Sequence, residues 1–236
     1  MLHDGARAAV VDPGDASPVL EALDSLGLEL AAILVTHHHG DHVGGVDALR
    51  ERLRGPVWGP ARERIPQPFK PLSQGDRLEV LGLPFEVLEV PGHIAYVQRE
   101  QTQAPLLFCD DTLLSAGCGR LFEGTPAQRL QSLRALAAWP ADARVCCTHE
   151  CTLSKLRLAA TVEPGNAAIA RHTAHCQNLR AHDLPTLPSS IAMERQINPF
   201  LRCGEAELMA SARAQGVTHS DAVSVLAALR EWKNRF

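Results

Sequence analysis

No run of apolar residues in the 236-residue chain approaches the ~20 needed to cross a bilayer, so no membrane partner is expected. The first residues, Met1-Leu2-His3-Asp4-Gly5, carry neither a basic stretch nor an apolar core. No secretory leader is read there, and the expected address is the cytoplasm. Positive charge is not in excess: 23 Lys and Arg stand against 27 Asp and Glu, a net charge of −4. Bulk charge therefore does not hold the chain to nucleic acid. Internal repeats and low-complexity tracts are missing. The seven cysteines include no Cys-x-x-Cys pair and are odd in number, which argues for reduced thiols over a disulfide framework.

What is present is an ordinary globular composition, 45% hydrophobic and 21% charged, long enough to bury a real core. Ala8 to Val11 reads as a strand ended by Asp12-Pro13-Gly14. Ser17-Pro18 predicts a helix start, with Ser17 as N-cap, Leu20, Leu23 and Leu26 on its apolar face, and Gly27 as its stop. Ala32 to Val35 is a second buried strand. Val46, Leu49 and Leu53 mark a helix ending near Gly55. Val57-Trp58, Leu78 to Leu81, Phe85 to Val90, Ile94 to Val97, Leu106 to Cys109 and Val145 to Cys147 read as further strands. Thr125-Pro126-x-Gln128 is a capping box. After Cys151 the strand signals stop, and Pro-containing loops join helices, the last starting near Asp221. The expectation is an α/β layered domain over residues 1–150 and a helical segment over 151–236.

Eleven histidines are many for this length, and their placement matters more than their number. In an extended segment residues i and i+2 point the same way. His37 and His39 of His37-x-His39-x-Asp41-His42 can therefore share one ion while His38 faces away. Gly40 permits a sharp turn, after which Asp41 and His42 approach from another angle and can serve a second ion. His93, Asp111 and His149 each follow a predicted strand. Together these five His and two Asp suffice for two ions sharing a bridging carboxylate, a hydrolytic arrangement. Imidazole suits zinc and iron, and carboxylate adds iron or manganese.

This motif, with the later His, Asp and His, resembles the metallo-β-lactamase fold, an αββα sandwich, and more narrowly glyoxalase II, the hydroxyacylglutathione hydrolases. The likeness continues in Val11-Asp12-Pro13-Gly14, Asp111-Thr112-Leu113 and Ser115-Ala116-Gly117-Cys118-Gly119-Arg120. It extends to Phe122-Glu123-Gly124-Thr125, Thr148-His149-Glu150, Val162-Glu163-Pro164-Gly165-Asn166 and Asn198-Pro199-Phe200-Leu201-Arg202. The resemblance implies that one ion takes His37, His39 and His93, the other takes Asp41, His42 and His149, and Asp111 bridges them. Asp41 and Asp111 would be the catalytic carboxylates. It further implies two divalent ions, zinc first, with iron or manganese as alternatives. The implied substrate is the thioester S-D-lactoylglutathione, hydrolysed to D-lactate and glutathione by a monomer. Arg120, Arg230 and Lys233 would bind the glutathione carboxylate, Arg120 standing where Lys is more usual. Without the resemblance, Arg230 and Lys233 are simply a basic helix end.

The sequence also departs from that family. The relatives' first strand and its Asp-Asn-Tyr turn are missing. Pro91-Gly92-His93-Ile94 is four residues shorter than the usual Pro-Gly-His-Thr-x-Gly-His region. Asp110 stands where relatives have Gly; if that position has a positive φ, Asp is a costly replacement there, though it tolerates the left-handed region better than most residues. Phe122 and Cys151 stand where relatives carry Tyr at the glutathione subsite. Two other readings stay open on the sequence: another hydrolase of the same fold, or a metal-binding relic impaired in catalysis.

Overall fold

A computed structural model describes residues 1–90, 92–98, 104–219 and 221–236. Pro91 of the Pro91-Gly92-His93 segment lies outside the described residues. The chain forms two compact units, Met1–Gln103 and Ala104–Phe236.

In the first unit, β1 (Leu2–His3), β2 (Arg7–Val11), β3 (Glu29–Leu34), β4 (Val57–Pro60) and β5 (Lys70–Leu72) form a sheet in that order. The β1–β2 pair is antiparallel and the other three pairs are parallel. Helix α1 (Ser17–Leu26) connects β2 to β3. Its N-cap is Ala16, one residue earlier than expected: Asp15 accepts a hydrogen bond from the Ser17 N–H at 2.9 Å. Gly27 closes the helix with φ +65°. Short helices α2 (Gly40–Val43) and α3 (Val46–Leu49) follow β3. The expected continuation of α3 to Leu53 does not form. Leu53 instead bridges Leu30 at the sheet, and Arg54 N–H bonds to Leu30 O. Val10, Leu23, Leu30, Ile33, Val35 and Leu49 meet in one core. Strands β6 (Arg77–Val80), β7 (Leu83–Val90) and β8 (His93–Gln98) form an antiparallel meander, with Val90 paired to His93.

In the second unit, β9 (Leu106–Phe108) and β10 (Arg144–Cys146) are parallel, and β11 (Ser189–Ser190) pairs antiparallel with β10. This two-residue strand, all serine, is too short and polar for the sequence pattern to show, so strands do not end at Cys151 as expected. Helix α4 (Pro126–Ala137) begins with the full Thr125–Gln128 capping box. Helices α5 (Thr152–Val162), α6 (Ala167–Ala181), α7 (Ile191–Ile197), α8 (Ala206–Ala214) and α9 (Ala222–Arg235) complete the unit. Asn166, Ser190 and Asp221 cap α6, α7 and α9 through their side chains. All seven cysteines are free thiols. Among the described residues no helix is long and apolar enough to cross a membrane.

Candidate metal centre and anion subsite

In the first unit, the His-rich segment leaves the carboxyl end of β3, and its neighbours fix it from three sides. Asp12, just past β2, accepts hydrogen bonds from Thr36 N–H at 2.7 Å and Thr36 Oγ1 at 2.8 Å. The same carboxylate lies 3.3 Å from His42 Nδ1. Tyr96 Oη donates to Val35 O at 2.8 Å, and Ile94 N–H donates to Thr36 O at 3.0 Å. The Asp12-Pro13-Gly14 turn lies directly against the segment. A side chain on Gly14 would overlap the Asp41 carbonyl, and Gly45 N–H bonds to Pro13 O at 2.8 Å.

The outcome is a cluster of imidazoles around buried His37. Its ring centroid lies 3.8 Å from that of His42, 4.2 Å from His93 and 4.5 Å from His39. His37 Nε2 and His39 Nδ1 converge to 2.9 Å. Two nitrogens each ~2.0–2.1 Å from one tetrahedral ion lie roughly 3.3 Å apart, so this pair needs to open only slightly to share one. The imidazole-rich donor set therefore fits a borderline divalent ion. His38 N–H and Nδ1 both meet Glu63 Oε2 at 2.8 Å, while its ring stays edge-on to that of His39 with 4.9 Å between centroids. His93, at the start of β8, lies beside His37. Asp41 is largely exposed, with a carboxylate oxygen 3.8 Å from His42 Nε2.

In the second unit, β9 runs into a tight turn over Asp110–Thr112. Asp110 is buried with φ +55°, in the left-handed region that Asp tolerates better than most residues. Asp111 Oδ1 accepts a hydrogen bond from Thr148 Oγ1 at 2.9 Å and lies 3.3 Å from His149 Nε2. The end of β10 thus brings His149 to Asp111. Gly119 N–H donates to Asp111 O at 2.6 Å, and a Cβ on Gly119 would lie 2.8 Å from the Asp111 Cβ.

That contact joins Asp111 to a group of cations. Arg230, 4% exposed, donates through Nη1 to Cys118 O at 2.8 Å and Gly119 O at 3.3 Å. Its Nε is buried without a hydrogen-bond partner. Lys233 Nζ donates to Ser154 O at 3.1 Å. Arg120 is exposed, and Arg120, Phe122, Arg230 and Asn234 help line a depression of 440 Å³. Phe122 is one of the most exposed apolar side chains. Cys151 sits at the start of α5, where burial raises its thiol pKa. The sequence reading missed Lys155, which is 9% exposed and donates to the same Cys118 carbonyl at 3.1 Å. Burial lowers its ammonium pKa, as it does for Lys233, with neighbouring cations adding to both shifts.

Two family models match consecutive parts of the chain: "Metallo-beta-lactamase superfamily" over residues 1–149 and "Hydroxyacylglutathione hydrolase C-terminus" over 150–236. A hydroxyacylglutathione hydrolase from Albidiferax ferrireducens is 56% identical over 240 residues, covering 100% of this chain and 94% of the relative. Among solved structures, the B3 metallo-beta-lactamase BLEG-1 is similar with a TM-score of 0.62 at 23% identity, over 85% of this chain and 91% of its own. TTHA1623, solved in a di-iron-bound form, is similar with a TM-score of 0.56 at 27% identity, over 81% of this chain and 88% of its own. The fold is that of the metallo-β-lactamases, and the chain belongs to the hydroxyacylglutathione hydrolase family within that superfamily.

Proposed function

We propose that the protein hydrolyses S-D-lactoylglutathione to D-lactate and glutathione, removing the thioester formed in methylglyoxal detoxification. One observation carries this reading: a single short loop holds a carboxylate beside an imidazole, Asp111 with His149, at one end and carbonyls that anchor buried cations at the other. Gly119 N–H ties the two ends together. That arrangement suits a substrate with a reactive acyl group and a remote carboxylate.

In this reading His37, His39 and His93 hold one divalent ion, Asp41, His42 and His149 hold a second, and Asp111 serves both. Zinc is the proposed metal, with iron or manganese as alternatives; the di-iron form of TTHA1623 agrees with a two-ion site. When bound, the ions lower the pKa of a water toward ~7 and polarise an acyl carbonyl. The chain's own residues do the rest. Asp12 fixes the orientation of His42 and of the Thr36 backbone leading into His37. Thr148 holds one oxygen of Asp111. Arg120, Arg230 and Lys233 bind the glutathione carboxylate, with Phe122 and Cys151 lining the subsite. A thiolate is a good leaving group, so no dedicated general acid is required. Residues 1–150 act as the metal-binding catalytic domain and 151–236 as the helical substrate-binding domain, in a cytoplasmic monomer.

The test is steady-state hydrolysis of S-D-lactoylglutathione beside a lactoyl thioester of an uncharged thiol. Preference for the glutathione thioester is expected. Equal turnover of both substrates would move the protein to a general thioesterase of the same fold.

A further inference from the structure

Three cations of the second unit, Lys155, Arg230 and Lys233, stand apart from paired ones such as Arg202, which meets Glu163. Lys155 and Arg230 are both more than nine-tenths buried, and Lys233 is half-buried. Among the described residues none of the three forms an ion pair; their hydrogen bonds go to carbonyls of Cys118, Gly119 and Ser154, to the Cys118 thiol, the Ser154 hydroxyl and the Asn234 side chain, Arg230 also lies over the Phe200 ring, and the Asp111 charge acts on Lys155 only at longer range. A buried charge without a counter-charge is costly, and neutral carbonyls compensate it only in part. The structure nevertheless makes room for it. Gly117 lacks a side chain where the Lys155 stem passes, and a Cβ there would lie 2.7 Å from Lys155 Cδ. Lys155 also shares its acceptor, Cys118 O, with Arg230, so the ammonium and guanidinium converge on one oxygen.

We infer that Lys155 is a specificity-determining residue, a further cation that binds the carboxylate of the thiol half of the substrate together with Arg230 and Lys233. The inference rests on the proposed hydrolysis of a glutathione thioester. Physically, an incoming carboxylate supplies a counter-charge to Lys155 and Arg230, which are themselves largely shielded from water, and charge-assisted hydrogen bonds to such groups are strong. The Lys155 pKa, lowered by burial and by Arg230, is restored upward by such a ligand. Because the carboxylate is remote from the bond that breaks, Lys155 acts on binding and not on the chemical step.

The experiment pairs protein variants with a substrate variant. Lys155→Met keeps the apolar stem and removes the charge; Lys155→Arg restores it. Each is assayed with S-D-lactoylglutathione and with the same thioester carrying its glycine carboxylate as an amide. Binding of S-methylglutathione and its glycinamide counterpart is measured by calorimetry, independently of turnover. The expected result for Lys155→Met is about a tenfold rise in KM and in the S-methylglutathione Kd, less than about a twofold change for both amides, and an intact kcat, with Lys155→Arg recovering most of the loss. An equal loss on acid and amide would reduce Lys155 to a structural role and overturn the inference. A fall in kcat at constant KM would also overturn it, by placing the residue in the chemistry. Absence of turnover by the unmutated protein would count against the proposed reaction; the calorimetric comparison would still decide the role of Lys155.

Discussion

Gly119 has no side chain because Asp111 leaves no space for one. An added Cβ would lie 2.5 Å from Asp111 O, closer than such contacts allow. Gly119→Ala should therefore displace the carboxylate and lower kcat/KM at least about tenfold, with far-UV circular dichroism unchanged, since ligand misplacement costs metal binding or rate. Activity within twofold of the unmutated protein would show that the loop yields. The cations on α9 give a different kinetic signature. Loss of one charged hydrogen bond, worth ~1.5–3 kcal/mol, should raise KM roughly 10- to 150-fold in Arg230→Ala or Lys233→Ala and leave kcat nearly intact. An unchanged KM in both would return them to a basic helix end. His38→Ala should keep its metal content, because the Nδ1 of that ring is engaged with Glu63 at 2.8 Å.

At the scale of elements, α7 holds the loop that follows Asp111. Its buried Glu194 accepts hydrogen bonds from Ala116 N–H at 2.9 Å and from Asn198 Nδ2 at 2.9 Å, and Ser189 Oγ also binds it. Burial raises the Glu194 pKa despite those bonds. Between the ordinary carboxylate pKa and this raised value, the folded state keeps a proton that the unfolded chain has released. The stabilisation is therefore complete below that window and is lost as pH rises through it. Melting temperatures of Glu194→Gln and the unmutated protein, compared from about pH 4 to about pH 8, should shift in favour of the variant as pH rises. A difference that does not change with pH would show that Glu194 ionises freely in the fold.

The same elements show which features were legible in the sequence. The Thr125 capping box and the Gly27 stop were readable because each is a local contract between residues three to four apart. The candidate metal ligands stand out in the sequence because imidazole and carboxylate types recur at strand ends in a pattern tied to one chemistry. Strands β1, β5 and β11 were not, being two or three residues long and defined by their partners. β5 even contains Pro71, tolerated at the edge of the sheet. The positioning role of Asp12 links residues 24 apart. Lys155 was hidden for a further reason: a lysine on a helix reads as solvated, and only packing against Cys118 and Arg230 reveals its burial.

At the scale of the whole molecule, the chain carries a net charge of −4 yet buries two cations, Lys155 and Arg230, that form no ion pair among the described residues. Raised salt should increase KM for the glutathione thioester more than kcat, since part of the attraction is screened. The most direct measurement is metal stoichiometry alongside turnover, in the unmutated protein and in Asp111→Ala, after metal removal and readdition of zinc. The expected result is up to two ions per chain with hydrolysis of S-D-lactoylglutathione restored on loading, and loss of both in Asp111→Ala. Full metal content in Asp111→Ala, or hydrolysis by the metal-free protein, would contradict a bridged two-ion centre.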